Sequence, residues 1–435
     1  MMTIRGYFSY FAPVSAVLLA SCAPEPGTPT TAFVGATVWD GTGSLPASGA
    51  TIVVSDGRIA SVEVDGDVPD GAEVVDLSGK YVIPGFVDAH AHVSGLWAEE
   101  AIVDPAERVR KDLELFARYG VTTVNSLGDD EVVLSVRDAA TPTDPRARLL
   151  AAGPVIAEHE PDAARAAAVA NADASVDWLK LRVDDNLGTS EKMPWDAVQA
   201  VIDVSRERMI PLATHVFYLE DAKRLLTMGT GMIAHSVRDT DVDDAFVAEM
   251  LSRGICYVPT LTREVSTFVY ADRPEFFDDP FFTEHAHAGE LARASDPAFS
   301  ERMAGSDAAA GYRVALEQAM RNLAALADAG VSIAMGTDAG PSVRFPGYFE
   351  HLEMWMMADA GMETEEVLRS ATAVAAECVG ADDVGTLEPG KWADFLVLGD
   401  DPLQDIRATR SLERVFIGGR PAPPGPPEAG SAPGS

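Results

Sequence analysis

The chain has 435 residues, 47% of them hydrophobic and 23% charged, which is too long for one small domain and ample for a sizeable core. Its 68 acidic residues face 33 basic ones, and the resulting net charge of −35 excludes nucleic acid and anionic lipid headgroups as partners. Such a surface serves solubility or draws in cationic substrates.

Residues 1–22 read as an export segment. Arg5 gives a thin positive start, and Pro13–Ala20 is an apolar run too short to span a bilayer. Leu19-Ala20-Ser21-Cys22 resembles a bacterial lipobox, which implies cleavage before Cys22 and lipidation of its thiol. The expectation is an exported lipoprotein on the periplasmic side. Ala23 rather than Asp after the cysteine points to the outer membrane, with the lipid as the sole membrane contact. Residues 23–31, APEPGTPTT, read as a flexible tether. Only Cys256 and Cys378 remain after cleavage. Two cysteines make no disulfide framework, so packing has to hold the fold, and an oxidising compartment is tolerated but not exploited.

Short β-like runs follow: Ala32–Val38, Ala50–Val54, Ile59–Val64, Glu73–Val75 and Tyr81–Ile83, with a hairpin turn at Asp56-Gly57. Ala393–Leu398 and Arg414–Ile417 read the same way near the other end. Between them lie eight nearly continuous apolar runs, as parallel strands buried on both faces require. They are Phe86–Val87, Val121–Leu127, Leu149–Ile156, Trp178–Val183, Ile210–Val216, Met232–Val237, Cys256–Leu261 and Ser332–Met335. Helical patterns separate them, among them Pro105–Tyr119, Leu219–Met228, Val242–Arg253 and Val314–Ala329, several stopping at Gly120, Gly229, Gly254 or Gly330. The expected fold is α/β: a (β/α)8 TIM barrel over 85–380, with a small β-sandwich built from 32–84 and 381–420. An insert at 262–310 carries FVYADRPEFFDDPFF and reads as a lid over the barrel mouth. The tail, 421–435, is rich in Pro, Gly and Ala and reads as disordered.

The chemistry starts at VIPGFVDAHAHV, 82–93. In extended chain His90 and His92 point the same way, just past strand one, where barrel active sites are built. EHAHA at 284–288 has the same spacing, but it follows no strand and reads as solvated. Four more polar residues sit in or at the ends of apolar runs: Lys180 in WLKLRV, His215 in PLATHV, His235 in MIAHSV and Asp338 in IAMGTD. Six buried polar groups on one rim call for a shared partner. Imidazole and carboxylate suit zinc or a similar divalent ion. Lys180 is the odd member; burial near metals should depress its pKa, and the neutral amine could take up carbon dioxide to become an anionic, bridging carbamate.

At this point the chain resembles the amidohydrolase superfamily, and within it prolidase-like and imidazolonepropionase-like members. The matching stretches are Gly57-Arg58-Ile59, VIPGFVDAHAHV, GVTTV at 120–124, WLKL at 178–181, ATHV at 213–216, IAHS at 233–236, MGTDAG at 335–340 and GTLEPGKWADFLVL at 385–398. The resemblance implies that His90, His92 and Asp338 hold a more buried metal and that His215 and His235 hold a more exposed one. Carboxylated Lys180 would bridge the two. It also implies that the metals acidify water into a nucleophile and that Asp338 passes its proton to the leaving group.

The match loosens around the site. Asn125-Ser126 follow GVTTV where many relatives have Arg-Asp, Ala234 precedes His235 where many have Glu, and Val216-Phe217 follow His215 where many have Ala-Tyr. Substrate contacts are therefore expected from position alone: Tyr218, Arg238, Tyr257, Arg263 and His159. An arginine there holds a substrate carboxylate or pairs with Asp239, Asp241 or Glu264. His351, in HLEMWMMADAGM, reads as helical and behind the site.

The expectation is a hydrolase that uses two metal ions, zinc by its chemistry, to cleave an amide-type C–N bond in a small molecule such as a dipeptide, an N-acyl amino acid or a cyclic amide. The same site would suit a lactonase or phosphotriesterase. Lys180 argues against a mononuclear deaminase, and the complete ligand set argues against a solute-binding lipoprotein without catalysis. A homo-oligomer is compatible with all of this.

Overall fold

Alternating and β-branched residues near both ends of the chain assemble one mixed sheet. The computed structural model describes residues 30–93 and 102–422. The first strands are β1 (Thr30–Val38), β2 (Ala47–Ser55), β3 (Arg58–Val64), β4 (Glu73–Asp76) and β5 (Tyr81–Pro84). Seven short strands follow: β6 (Phe86–Ala91), β7 (Val121–Ser126), β8 (Arg148–Ala151), β9 (Leu179–Arg182), β10 (Leu212–His215), β11 (Met232–Ala234) and β12 (Cys256–Val258). The last three are β13 (Phe395–Leu398), β14 (Leu412–Ile417) and β15 (Arg420–Pro421). The end sheet runs in the order β15-β14-β13-β5-β1-β2-β3, with β4 beside β1. Phe33 of β1 lies three positions from Phe416 of β14, about 14 Å on a flat sheet. Their ring centroids are nevertheless 4.9 Å apart, so the sheet rolls over its own core of Phe33, Ile52, Val82, Phe395 and Phe416.

The middle strands are parallel, in two groups: β6-β7-β8 and β9-β10-β11-β12. Parallel bridges Ile156–Leu181 and Tyr257–Ile333 join the groups to one another and to the 332–335 run. Ala89 N–H donates to Met335 O at 2.9 Å, which returns the pairing to β6. The eighth run is thus a single bridge at Ile333 where a strand over 332–335 was expected. Gly336 explains its close approach, since a Cβ there would lie 2.4 Å from Val258 and 3.0 Å from the His90 nitrogen.

Helices fill the crossovers: α1 (Pro105–Arg118), α2 (Val132–Asp138), α3 (Pro161–Asp173), α4 (Trp195–Arg208), α5 (Leu219–Met228) and α6 (Asp244–Arg253). After β12 come α7 (Leu261–Ser266), α8 (Pro280–Thr283), α9 (Ala288–Ala294), α10 (Pro297–Ala304) and α11 (Asp307–Asp328). Then follow α12 (Tyr348–Asp359), α13 (Thr364–Ser370) and α14 (Ala373–Val379). Glycines 120, 229, 254 and 330 all adopt positive φ, as helix stops ahead of a strand should. Ala375, Ala376 and Val379 of α14 pack among interior residues Val87, Ala213, Met232 and Val258, closing the end away from the site.

Several expectations need correction. Cys256 and Cys378 form a disulfide across 122 residues, tying β12 to α14. Only the fold brings them together, so their separation in sequence hid the pair. The insert is a chain of short helices, and its aromatics are core rather than cover: Tyr270, Phe277 and Phe282 pack with Phe345 and Tyr348. The EHAHA pair is not solvated. His287 is buried, and its Nδ1 caps α9 by accepting from Glu290 N–H at 3.2 Å, while His285 lies against the Tyr119 ring. Thr30 and Thr31, expected in the tether, begin β1, and Pro421, expected in the tail, pairs with Phe416. Cys22 and most of the tether and tail lie outside the described residues.

Candidate metal centre

All six expected ligands meet at the C-terminal ends of the parallel strands. His90 lies in β6 and His92 just past it, Lys180 in β9, and His215 ends β10. His235 and Asp338 follow β11 and the Ile333 bridge. Asp338 Oδ1 is 2.9 Å from His92 Nε2 and 3.4 Å from His90 Nε2. Lys180 Nζ is 3.0 Å from His90 Nε2. The His235 ring sits 4.6 Å from that of His90 and 4.0 Å from that of His215.

Local backbone explains how the last two arrive. His235 and Asp338 both have left-handed φ, +69° and +58°, a conformation that side chains other than glycine rarely accept and that clusters at functional sites. Gly340, at φ +109°, lets the strand-eight loop lie on β6, because a Cβ there would meet the His92 carbonyl oxygen at 2.1 Å. Beneath it Thr337 Oγ1 lies 2.6 Å from Asp88 and 3.0 Å from Glu350. Burial and Asp88 push Glu350 well up, and burial raises Asp88 as well, so this buried pair disfavours two negative charges under the site.

Groups behind the ligands fix their orientation. His92 Nδ1 lies 3.3 Å from Asp129, which also accepts from Val93 N–H at 2.9 Å and from the Ser126 hydroxyl. His215 Nε2 lies 2.7 Å from Asp184, and His235 Nδ1 lies 2.7 Å from Thr260 Oγ1. Thr260 itself has φ +49°. Outer partners of this kind set which ring nitrogen faces a metal. Sequence reading missed Asp129, Asp184 and Thr260. All three lie just past strand ends, the same signal that singled out the ligands.

The electrostatics fit a cation. Burial works against a charged His92, yet Asp129 and Asp338 override it and hold the ring up at about 9. Burial drives His90 and His235 well down and His215 to about 3, so these rings are neutral and free to ligate. Burial also brings Lys180 down to about 7, so its amine exists unprotonated near neutral pH. His90 Nδ1 is buried and has no hydrogen-bond partner among the described residues. His90, His92 and Asp338 lie close enough together to hold one ion.

The expected substrate contacts divide. Arg263 reaches the site, with Nε 3.5 Å from Asp338 Oδ2 and Nη1 2.7 Å from Glu264. Arg238 does not. It is wholly buried, 3.2 Å from Glu264, and donates to the carbonyls of Val216 and Ser236 at 2.9 and 2.5 Å. The Tyr257 hydroxyl accepts from Val237 N–H at 2.8 Å, so that side chain is scaffold. Tyr218 donates to Asp185 at 2.8 Å beneath the Lys192 ammonium. His159 is exposed, 3.9 Å from Glu191. Arg344, which sequence reading passed over, ion-pairs with Asp338 Oδ2.

Parallel strands presenting four histidines, an aspartate and a lysine at one end define a metal-dependent hydrolase. Residues 81–422 match the Amidohydrolase family, and the chain belongs to it. It is therefore a hydrolase acting on carbon–nitrogen bonds. An uncharacterised protein of Mycobacterium tuberculosis is 27% identical over 392 residues, covering 84% of this chain and 90% of its own. The imidazolonepropionase of Nocardia farcinica is 28% identical over 386 residues, covering 80% and 85%. The structure of a putative prolidase from Bifidobacterium longum matches with a TM-score of 0.73 at 25% identity, covering 92% and 96%. These likenesses imply a TIM-barrel fold of mixed α/β content.

Proposed function

We propose that the chain is a two-metal hydrolase that cleaves an amide-type bond in a small molecule. The cyclic strand pairing reads as one closed (β/α)8 barrel, and the rolled end sheet as its companion domain. In this reading His90, His92 and Asp338 hold one ion and His215 and His235 the second. Lys180 lies between the sets as a carbamate: its neutral nitrogen bonds to the carbon of carbon dioxide and releases a proton. The ions, zinc by the chemistry of their donors, supply Lewis acidity and acidified water. Asp338 then accepts a proton from the attacking water and delivers it to the departing nitrogen.

The observation that carries this reading is Lys180. A lysine nitrogen 3.0 Å from His90 Nε2, at 2% exposure and beside the His90–His92–Asp338 cluster, is costly to bury unless it serves the site. A hydrolysis screen of the metal-reconstituted chain tests it, across N-acyl amino acids, Xaa-Pro dipeptides, cyclic amides, lactones and phosphotriesters. Release of an amine supports the reading. Turnover of lactones or phosphotriesters alone would replace it. We also propose export to the periplasmic side with a lipid anchor at Cys22; the Cys256–Cys378 pair supports an oxidising compartment.

A further inference from the structure

We propose that Arg344 recognises an anionic group lying next to the scissile bond, so that the substrates are α-carboxylates such as N-acyl amino acids or dipeptides rather than neutral amides. The inference rests on the hydrolase reading above and narrows it.

The loop that carries Arg344 is built under strain. Val343 has φ +60°, an outlier for a β-branched residue. Both its backbone polar groups are clamped by the insert. Its N–H donates to Glu290 at 2.6 Å, and its carbonyl accepts from the Tyr270 hydroxyl at 2.6 Å. Gly340 N–H donates to Arg344 O at 3.0 Å and closes the turn. Strain held in place this firmly aims a side chain. The guanidinium points at Asp338 Oδ2, and its Nε donates to Ser266 Oγ at 3.1 Å. At 19% exposure the side chain keeps access to solvent.

Charge counting then calls for an anion. Arg238 and Arg263 share Glu264, and Arg263 and Arg344 share Asp338. Three guanidinium groups thus face two carboxylates. One of these, Asp338, also belongs to the metal cluster. Asp338 Oδ1 faces His90 and His92, so Arg263 and Arg344 share its Oδ2 alone; the other partners of Arg344 are neutral, the Ser266 hydroxyl and the Asp338 carbonyl. A half-buried guanidinium beside metal cations requires a counter-charge. The planar fork suits a carboxylate. One carboxylate, that of Asp338, separates Arg344 from His92, so the anionic group must lie within a few bonds of the atom attacked.

The test compares N-acetyl-L-amino acids with their α-carboxamides, following acetate release by the zinc-loaded protein. The acids should be favoured roughly 100-fold in kcat/KM, as charge-assisted hydrogen bonds allow. Arg344→Gln should bring that ratio close to one, mainly through KM, and Arg344→Lys, which keeps the charge and loses the fork, should fall between. Calorimetry with 3-phenylpropionate, a carboxylate with no amide to cleave, gives a readout apart from turnover: Arg344→Gln should weaken its binding at least tenfold. Equal turnover of acids and carboxamides by the wild type, or equal losses for both in the variants, would overturn the inference and leave the hydrolase reading standing. Carboxylate binding through Arg344 with no turnover of any amide would do the reverse.

Discussion

Lys180, His215 and His92 each owe their chemistry to one or two neighbours. Lys180→Ala should release at least one metal per chain and lower kcat by a thousandfold or more, and added short-chain carboxylic acids should restore part of it; metal analysis beside the assay checks both. Unchanged metal content and rate would remove the carbamate from the account. Asp129→Ala and Asp184→Ala unlock the rings of His92 and His215 without removing a ligand. Each should weaken metal affinity about 10- to 100-fold, read by chelator competition. At this scale the six clustered residues were legible because imidazole, carboxylate or ammonium at the end of an apolar run is anomalous. Asp129 and Asp184 carry a weaker form of that signal, lying two or three residues past their strands beside a second aspartate, Asp130 or Asp185. Arg344 carries none, and only the fold turns it toward Asp338.

Helix α12 shows how an element serves the site while touching no substrate. Its His351 is buried; Nε2–H donates to Tyr119 O at 2.7 Å, and Nδ1 accepts from the Thr409 hydroxyl at 3.0 Å. The helix is thereby tied to the end of α1 and to the turn before β14. Burial lowers the His351 pKa from 6.5 to about 4. A depressed folded value means that this stability is complete above about pH 6.5 and is lost as the pH falls towards about 4, for roughly 3 kcal/mol in all. His351→Gln should flatten that acid limb in chemical denaturation measured at pH 7 and pH 4.5. An unchanged pH dependence would assign the acid sensitivity elsewhere. The parallel strands were readable because burial on both faces writes a continuous apolar run. The insert was not. Phe276, Phe281 and Phe282 resemble a lid in sequence, and only contact with Phe345, Tyr348 and Tyr119 shows that they pack into or against the core.

For the molecule as a whole, the Cys256–Cys378 bond staples a strand of the ring to the helix that closes its far end. Replacing both cysteines with serine should cost about 2–5 kcal/mol and lower the denaturation midpoint, with the metal site and kcat little changed because the bond lies at the opposite end. An unaltered midpoint would mean that packing alone suffices, as the cysteine count first suggested. The net charge of −35 contrasts with Arg263 and Arg344 beside Asp338, and on the carboxylate reading proposed above this contrast would favour an anionic group at that one place on an acidic surface. If six side chains from one ring of strands form a two-metal hydrolytic centre, zinc titrated into the metal-free protein should switch on amine release from an N-acyl amino acid. Turnover should be nil at zero equivalents and reach a plateau at two per chain. Turnover without metal, or a plateau at one equivalent, would rule out the two-metal centre.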